Sequence, residues 1–282
     1  MTGHEVDVLV PTRDRPAELA TTLAGLAAQD GPSFRVLVSD QSDGPPSYAN
    51  PPAQAMASAL RLRGRPVIFD RHLPRRGLAE HRAHLLAMAR SPHVLFLDDD
   101  VWLEPGTLAR LHRAIRVLRC GFVGAAVQGL SYVDDVRPGE LEPYEEWADA
   151  PCPERVRPGS PEWRRWTLHN AANPVHLAQR LALRPGEWRA YKVAWVGGCV
   201  LYDRKVLESV GGFDFWRDLP PEHAGEDVLA QWRVMAARGG AGILPSGAVH
   251  LESPTTVPDR RVQAYDVIAD GRKRLTPQRE TD

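Results

Sequence analysis

The sequence predicts an α/β fold, with a mixed, mostly parallel central sheet and helices on both of its faces. In the first hundred residues, short runs rich in Val, Ile, Leu and Phe alternate with segments whose apolar residues recur at helical spacing. Repeats of this length are typical of βα units, in which parallel strands are joined by crossover helices. In addition, three consecutive carboxylates directly follow one of the apolar runs. In open α/β sheets, ligands bind at the carboxyl ends of the strands, which is where these carboxylates would lie.

The first half of the chain contains four βα units in order. Its predicted strands are the apolar runs 6–10, 34–38, 67–69 and 94–97. The first predicted helix begins at Pro16, since proline is favoured in the first helical turn, and the next two cover 53–62 and 77–89. These units place the ends of all four strands at one edge of the sheet.

The second half is less regular. Apolar spacing predicts a helix through Leu108 and Leu118, strands near 123–127, 193–202 and 248–251, and a helix over 226–237. Residues 131–190 are rich in Pro, Trp, Arg and Glu with weak periodicity, which indicates a functional loop or a mobile lid. We therefore expect one domain over residues 1–255, followed by a polar, basic tail over 256–282.

Composition excludes several classes of protein. The 282 residues carry a formal net charge of −1, which argues against a nucleic-acid binder that depends on phosphate neutralisation. The three cysteines lack CxxC spacing, so neither a disulfide framework nor a cysteine zinc site is indicated. No run approaches the roughly 20 apolar residues of a membrane span, and no signal-like segment opens the chain. The expected protein is soluble and cytoplasmic, and its oligomeric state is open, with a homodimer among the alternatives.

The acidic triplet Asp98, Asp99 and Asp100 follows the strand 94–97. Three adjacent negative charges repel one another, which is tolerable when a cation lies among them. Carboxylate oxygens suit Mg²⁺ or Mn²⁺, which commonly bind one or two carboxylates together with substrate phosphates. The alternative is a solvated acidic turn before the helix that Pro105 and Gly106 open.

Other polar residues follow the strands or begin the helices. Asp40 follows the second strand and could accept a hydrogen bond from a ribose or a base, although its Ser-Asp-Gln-Ser-Asp-Gly context favours an Asx turn when taken alone. Arg76 and Gly77 precede a helix that carries Arg82, where a guanidinium could bind a diphosphate. For both Arg76 and Arg82, the alternative is a solvated arginine on the surface of the helix.

In the second half, Glu226 and Asp227 begin a helix, a position that the helix dipole and capping favour for acids. The functional alternative assigns Asp227 as general base and Glu226 to acceptor binding. His250 lies in a short apolar strand, so it is either a hydrogen-bonded core residue or a third metal ligand.

The pair Gly197 and Gly198 forms either a simple turn or a place where a sugar approaches the backbone. The tryptophans of the second half are equally compatible with a core and with a stacking floor for an acceptor. Trp195, beside the two glycines, is the one we expect to contact the acceptor.

In this order and spacing, the motifs resemble the family 2 glycosyltransferases of GT-A fold, over most of the chain from Val6 to about His250. The triple aspartate followed by Glu104-Pro105 is most similar to the galactofuranosyl- and rhamnosyl-transferring members. The segments that carry the resemblance are Val-Pro-Thr-Arg-Asp-Arg-Pro at 10–16, Val-Ser-Asp-Gln-Ser-Asp-Gly at 38–44, Gly77 with Arg82, Phe-Leu-Asp-Asp-Asp at 96–100, Gly-Gly-Cys-Val-Leu-Tyr-Asp-Arg at 197–204, Val-Gly-Gly-Phe-Asp at 210–214, Gly-Glu-Asp at 225–227, and His250.

The resemblance implies an inverting, metal-dependent transferase that uses a nucleoside-diphosphate sugar and an acceptor that is a carbohydrate, a lipid-linked saccharide or a small molecule. It implies a nucleotide-sugar half at 1–104, an acceptor half at 105–255 with the insert 131–190, and Asp227 as the base. The implied ligands of Mn²⁺ or Mg²⁺ are Asp98, Asp100 and His250. The implied nucleotide-sugar site contains Pro11, Thr12, Arg13, Asp40, Arg76, Gly77, Arg82, Asp98 and Asp99, and the acceptor site contains Glu226, Trp195, Gly197 and Gly198.

Two residues depart from the family pattern: Ala83 stands where Asn commonly follows the arginine, and Gln41 replaces a small or acidic residue.

A sugar-1-phosphate nucleotidyltransferase is one alternative function, but its usual glycine-rich loop with a lysine is missing after the first strand. A non-catalytic protein that binds carbohydrate or nucleotide sugar is the other. Intact acid, base and metal positions argue against it.

Overall fold

The computed structural model describes residues 3–269, and its centre is an eight-stranded sheet. A two-stranded sheet lies beside it. The strands of the large sheet are β1 (Val6–Thr12), β2 (Phe34–Asp40), β3 (Val67–Arg71), β4 (His93–Leu97), β6 (Phe122–Gly124), β7 (Arg189–Tyr191), β8 (Cys199–Asp203) and β9 (Gly240–Leu244), and those of the small sheet are β5 (Val101–Leu103) and β10 (Ala248–His250).

The large sheet has the strand order β3-β2-β1-β4-β8-β6-β9-β7. Strands β1 to β4 are mutually parallel, whereas β8 runs antiparallel to both β4 and β6. Strand β9 is parallel to β6, and β7 is antiparallel to β9. This mixed, mostly parallel sheet confirms the predicted α/β class.

Alternate residues of β1 face the two apolar cores on opposite sides of the sheet. Val8 and Val10 belong to one core, together with Leu23, whereas Leu9 belongs to the other, together with Leu85. All five side chains are fully buried. Helices therefore cover both faces, as expected for a sheet whose central strands are apolar throughout. The helices are α1 (Pro16–Ala27), α2 (Pro51–Leu62), α3 (Leu78–Met88), α4 (Thr107–Leu118), α5 (Asn173–Leu181), α6 (Arg204–Ser209), α7 (Glu226–Arg238) and α8 (Ala264–Ala269), with 3₁₀ turns at Ser47–Ala49, Leu130–Tyr132, Pro138–Leu141, Pro161–His169 and Asp214–Asp218.

The second half differs from its prediction in two respects: β7 and β9 were not predicted, and the run 193–202 is a strand only in part. The apolar run 193–202 was expected to form one strand, but its first part lies outside the sheet and only Cys199–Asp203 pairs, as β8. The break falls at Gly198, whose φ of 75° is in the left-handed region. The insert 131–190 holds α5 and two of the 3₁₀ turns, Pro138–Leu141 and Pro161–His169, and β7 begins just before its end.

The segment after residue 255, predicted as a tail, contains α8, which packs against α7. The rings of Tyr265 and Trp232 lie 5.1 Å apart between centroids, and the amide of Ala264 donates to the carbonyl of Ala224. Residues 270–282 of the predicted tail lie outside the described residues. Within residues 3–269, no helix has the length and apolar character needed to span a bilayer.

Candidate active site

The acidic triplet lies at the carboxyl edge of the sheet, where β1 and β4 end side by side. Thr12, the last residue of β1, donates its hydroxyl to Oδ2 of Asp99 at 2.7 Å. The triplet forms a tight turn into β5, with the amide of Val101 donating to the carbonyl of Asp98. The side chain of Asp98 is 36% exposed, whereas those of Asp99 and Asp100 are 8% and 7% exposed. Asp98 is therefore the member most open to a ligand.

Arg15 lies between the two buried carboxylates. Its Nη1 donates to Oδ1 of Asp99 at 3.0 Å and to Oδ2 of Asp100 at 2.6 Å, and its Nη2 donates to the carbonyl of Pro254. Burial raises the pKa of Asp99 to about 7 in spite of its contacts with Thr12 and Arg15. Burial acts on Asp100 as well, but contacts with His250 and Arg15 outweigh it and hold the pKa of Asp100 below its usual value. Arg15 thus already supplies a positive charge between Asp99 and Asp100, at the place where a metal cation would neutralise these two carboxylates.

His250 reaches the triplet from β10, which pairs with β5 so that His250 faces Val101. Its Nε2 lies 3.4 Å from Oδ2 of Asp100. The hydrogen bond to Asp100 raises the pKa of His250. On the other side of the ring, Nδ1 accepts the amide of Glu252 at 3.0 Å. Taken alone, the apolar flanks of His250 in sequence favoured a hydrogen-bonded core residue over a ligand, and the structure places it 34% exposed beside the triplet.

The triplet and His250 suit a divalent cation in the chemistry of their donors. Carboxylate oxygens together with one imidazole match Mn²⁺, and carboxylates alone match Mg²⁺. Ligation through Nε2 of His250 requires the ring proton to move to Nδ1, because a metal binds the unprotonated nitrogen. The contact of Nδ1 with the Glu252 amide would then be lost, so the 250–252 segment must adjust when a metal binds.

Arg82 connects the triplet to the helix that carries the candidate base. Its Nη2 donates to Oδ1 of Asp98 and its Nε to Oε1 of Glu226, both at 3.0 Å. The side chain is buried, and the charges of Asp98, Glu226 and Asp227 outweigh burial and raise the pKa of Arg82 further above its usual value. Two guanidinium nitrogens of Arg82 are therefore engaged by carboxylates, so its contact with a diphosphate stays a prediction. One oxygen of Glu226, the residue predicted to bind the acceptor, is likewise engaged.

Asp227 begins α7 beside this ion pair. Its Oδ1 accepts the amide of Val228 at 2.8 Å, which fixes the carboxylate at the helix N-terminus. Burial, and next the neighbouring Glu226 carboxylate, raise the pKa of Asp227 to about 7. A carboxylate with its pKa in this range takes up a proton near neutral pH, which is what a general base requires.

Asp40 ends β2 in register with Thr12, at the same edge of the sheet. It is completely buried, and its oxygens accept the amides of Ser42 and Ser47, both at 2.8 Å, and the hydroxyl of Ser42. These are the contacts of the turn that the local sequence favoured. The structure therefore places Asp40 near the site but engages its carboxylate in the loop that follows β2.

The remaining predicted nucleotide-sugar residues lie around this edge without contacting the triplet. Pro11 is buried in β1, opposite Ser39. Arg13 forms exposed ion pairs with Asp14 and Asp43, and Arg76 is exposed. Gly77 has a φ of 100°, and a Cβ there would lie 2.5 Å from Cε1 of His223.

Gly197 and Gly198 lie beside the first residue of the triplet, Asp98. The carbonyl of Gly198 accepts the amide of Asp98 at 2.9 Å. A Cβ on Gly198 would lie 2.7 Å from Cγ1 of Val127, whereas a Cβ on Gly197 would meet open space. Close backbone approach therefore explains Gly198, and Gly197 faces the open side.

Trp195 belongs to an aromatic cluster, with its ring 5.1 Å from that of Trp163. Trp163 also contacts Trp232 and Tyr265. This packing favours the core interpretation for most of the cluster. Trp195 itself is only half-buried, so its predicted acceptor contact is left as a prediction.

Two residues that organise the site were not selected from the sequence. Arg15 lies in a loop with Arg13, and nothing in local sequence separates the arginine that faces the triplet from the one that faces solvent. Gln231 is completely buried in α7 and bonds both the amide and the carbonyl of Val196 at 2.7 Å, which holds the segment before Gly197. In the sequence, the position of this glutamine on an apolar helix face was the feature that could have indicated its structural role.

Comparison with known proteins gives one family and several similar folds. The family model described as "Glycosyl transferase family 2" matches residues 7–211. No curated protein matches this chain significantly in sequence.

Two solved structures illustrate the similar folds. One is the mannosyltransferase PcManGT from Pyrobaculum calidifontis in complex with GDP-Man and Mn²⁺, with a TM-score of 0.58 and 17% identity. Another is residues 1–349 of TarS from S. aureus in complex with UDP-GlcNAc, with a TM-score of 0.53 and 16% identity. This chain is covered to 91% and 90%, but it spans only 59% and 60% of those two chains.

Proposed function

This chain belongs to glycosyl transferase family 2, and we propose that it transfers a sugar from a nucleoside-diphosphate donor to an acceptor hydroxyl with inversion at the anomeric carbon. The observation that carries this proposal is the double contact of Arg82. One guanidinium joins Asp98 to Glu226, the neighbour of Asp227. The acidic triplet and the candidate base therefore line one site, although they come from opposite halves of the domain.

The triplet supports the donor side of the proposal. Asp98, Asp100 and His250 would hold Mn²⁺ or Mg²⁺, which would offset the negative charge of the leaving diphosphate. The similar PcManGT structure contains Mn²⁺ with GDP-Man, which agrees with this assignment. Thr12 fixes the orientation of Asp99, and Arg15 contacts both Asp99 and Asp100.

Asp227 supports the acceptor side. We assign its Oδ2 to the acceptor hydroxyl, because Oδ1 already accepts the Val228 amide. The carboxylate takes the hydroxyl proton as the oxygen attacks the anomeric carbon from the face opposite the diphosphate. A single displacement of this kind inverts the configuration and needs no covalent intermediate. A Cβ on Gly197 would meet open space, and we assign this space, with Trp195 two residues before it, to the acceptor.

Family membership disfavours a sugar-1-phosphate nucleotidyltransferase, the first alternative from sequence. A non-catalytic binder differs from the proposed enzyme in one measurable respect, the release of nucleoside diphosphate. The likeness to galactofuranosyl- and rhamnosyl-transferring members stays a prediction about the donor, and the acceptor class is open between carbohydrate, lipid-linked and small-molecule hydroxyls.

A thermal-shift panel of nucleoside-diphosphate sugars with Mn²⁺ tests the proposal. A true donor stabilises the folded chain by mass action, about 2.7 kcal/mol at a concentration 100 times its Kd. We expect stabilisation by one nucleotide class, lost on adding EDTA, and slow release of nucleoside diphosphate from the same donor. Failure of every donor to shift the melting temperature, with or without metal, contradicts the proposal.

A further inference from the structure

A second group of metal-ligating side chains lies between β3 and α3, away from the acidic triplet. We name it the β3–α3 cluster, and it consists of Asp70, His72, Glu80 and His84. The ligating atoms of three members, Asp70, His72 and His84, all lie within 4.8 Å of one another. The sequence did not predict this group, because its ligands come from two segments and include no cysteine.

The spacing within the β3–α3 cluster suits chelation from both elements. Asp70 lies in β3 and His72 directly follows the last residue of the strand, and their two-residue spacing suits side chains on the same side. Glu80 and His84 are four residues apart on α3 and lie one above the other on a single helix face. Two pairs of ligands therefore face each other across a short gap.

Within the cluster, each imidazole is paired with a carboxylate from the other element. Nε2 of His72 donates to Oε1 of Glu80 at 2.7 Å, and Nε2 of His84 donates to Oδ2 of Asp70 at 2.8 Å. The two imidazole rings are stacked 3.7 Å apart and tilted by only 10°. Ser39 donates its hydroxyl to Oδ2 of Asp70, an outer hydrogen bond of the type that orients a carboxylate ligand.

An unpartnered buried atom points to a missing ligand. Glu80 is only 8% exposed, and within residues 3–269 its Oε2 has no hydrogen-bond partner. A buried carboxylate oxygen without a partner is costly, and a bound cation removes that cost. His72 and His84 are 23% and 27% exposed, so an ion from solvent can reach them.

We propose that the β3–α3 cluster binds one divalent transition-metal cation of the zinc class. Two imidazole nitrogens with carboxylate oxygens match Zn²⁺ and its neighbours Co²⁺ and Ni²⁺, and two imidazoles do not suit Mg²⁺ or Ca²⁺. The ion joins the end of β3 to α3 and closes the loop between His72 and Gly77. That loop leads into the helix that carries Arg82, so the ion holds one wall of the candidate active site in place without entering it.

Zinc binding by the full chain tests this proposal. The protein is treated with EDTA, and Zn²⁺ alone is then titrated by calorimetry, with Co²⁺ absorption as a second probe of imidazole ligation. A variant lacking the other candidate centre, Asp100→Asn with His250→Gln, serves as background so that only the β3–α3 cluster is measured. We expect one equivalent of bound metal and a rise in melting temperature.

The double variant His72→Gln, His84→Gln is the decisive comparison. Its matched control is His93→Gln, His112→Gln, which removes another pair of contacting histidines, 5.2 Å apart between ring centroids. We expect the first variant to lower Zn²⁺ affinity at least about 100-fold and the control to leave it unchanged. Should the first variant fold poorly, Asp70→Asn and Glu80→Gln remove single ligands. Equal Zn²⁺ binding in cluster and control variants, or no binding by the background protein, overturns the proposal. Neither result bears on the proposed transferase function, which is tested separately by donor binding to the wild-type chain.

Discussion

Nε2 of His250 lies 3.4 Å from Oδ2 of Asp100, although the two residues belong to opposite halves of the domain. The pairing of β10 with β5 produces this proximity, because it lays the strand of His250 directly along the residues that follow the triplet. A carboxylate and an imidazole at this distance can share a cation after a small adjustment.

Arg15 competes with a metal for the triplet, so replacing it should strengthen metal binding. Its guanidinium contacts Asp99 and Asp100, and hydrogen bonds to charged groups contribute about 1.5–3 kcal/mol. We expect Arg15→Gln to raise Mn²⁺ affinity about tenfold or more, measured by calorimetry without donor. Arg13→Gln is the matched control, because Arg13 pairs with Asp14 and Asp43 instead. An Arg15→Gln protein that binds Mn²⁺ no better than wild type contradicts the competition.

Asp227→Asn should abolish transfer while leaving donor binding intact. The amide keeps the size of the side chain but cannot accept the hydroxyl proton, which costs about 10²–10⁴-fold in rate. Transfer is measured as product formation, and donor binding as thermal shift. Asp218→Asn removes an exposed carboxylate nearby and should retain the wild-type rate. Substantial transfer by Asp227→Asn removes this residue from its role as base.

The rate should rise with pH through the range near 7. Burial and Glu226 raise the pKa of Asp227 to about 7, and only its deprotonated form can act as base. In the free enzyme, kcat/KM should therefore fall about tenfold for each pH unit below that value and level off above it. Donor affinity, followed over the same pH series, separates this effect from loss of binding. A flat profile of kcat/KM from pH 5.5 to about 8 contradicts the raised pKa.

Gly198 and Gly197 should respond differently to alanine. Gly198 has a φ of 75°, and its Cβ would meet Val127 at 2.7 Å, whereas a Cβ on Gly197 meets open space. Left-handed backbone costs a side chain about 1–2 kcal/mol, and the clash adds to it. We expect Gly198→Ala to lower the free energy of unfolding in urea by at least about 1 kcal/mol, and Gly197→Ala to change it by less than ~0.5 kcal/mol. Equal effects at both positions contradict this interpretation of Gly198.

The sequence predicted the local features of this fold and site better than the distant ones. The strand 94–97, the acidic triplet behind it and the helix that begins at Glu226 depend on local periodicity and turn chemistry, and each lies within about a residue of its prediction. The pairing of β10 with β5 and the antiparallel insertion of β8 between β4 and β6 depend on contacts distant in sequence, which periodicity does not report. The sequence also does not show which of Arg13 and Arg15 faces the triplet, because that too depends on contacts with residues distant in sequence.

Asp40 shows the limit of reading roles from position. The structure places it as the last residue of β2, but the same residue serves equally as ligand contact or turn former, and only the structure shows three of its acceptor sites used by Ser42 and Ser47. Conversely, the β3–α3 cluster could not be found from sequence spacing alone. Its two pairs of ligands are unremarkable until β3 and α3 are packed together.

Mn²⁺ binding by the chain with its triplet intact and by single ligand variants tests the central claim most directly. Calorimetry without donor, on Asp100→Asn, His250→Gln and the exposed control Asp43→Asn, measures whether one cation is held jointly by the triplet and the imidazole. With the β3–α3 cluster removed by His72→Gln and His84→Gln in every protein compared, we expect one Mn²⁺ per chain, affinity lowered at least about tenfold by each of the first two substitutions, and no change for the control. Unchanged Mn²⁺ affinity in both Asp100→Asn and His250→Gln would show that these residues do not share a metal.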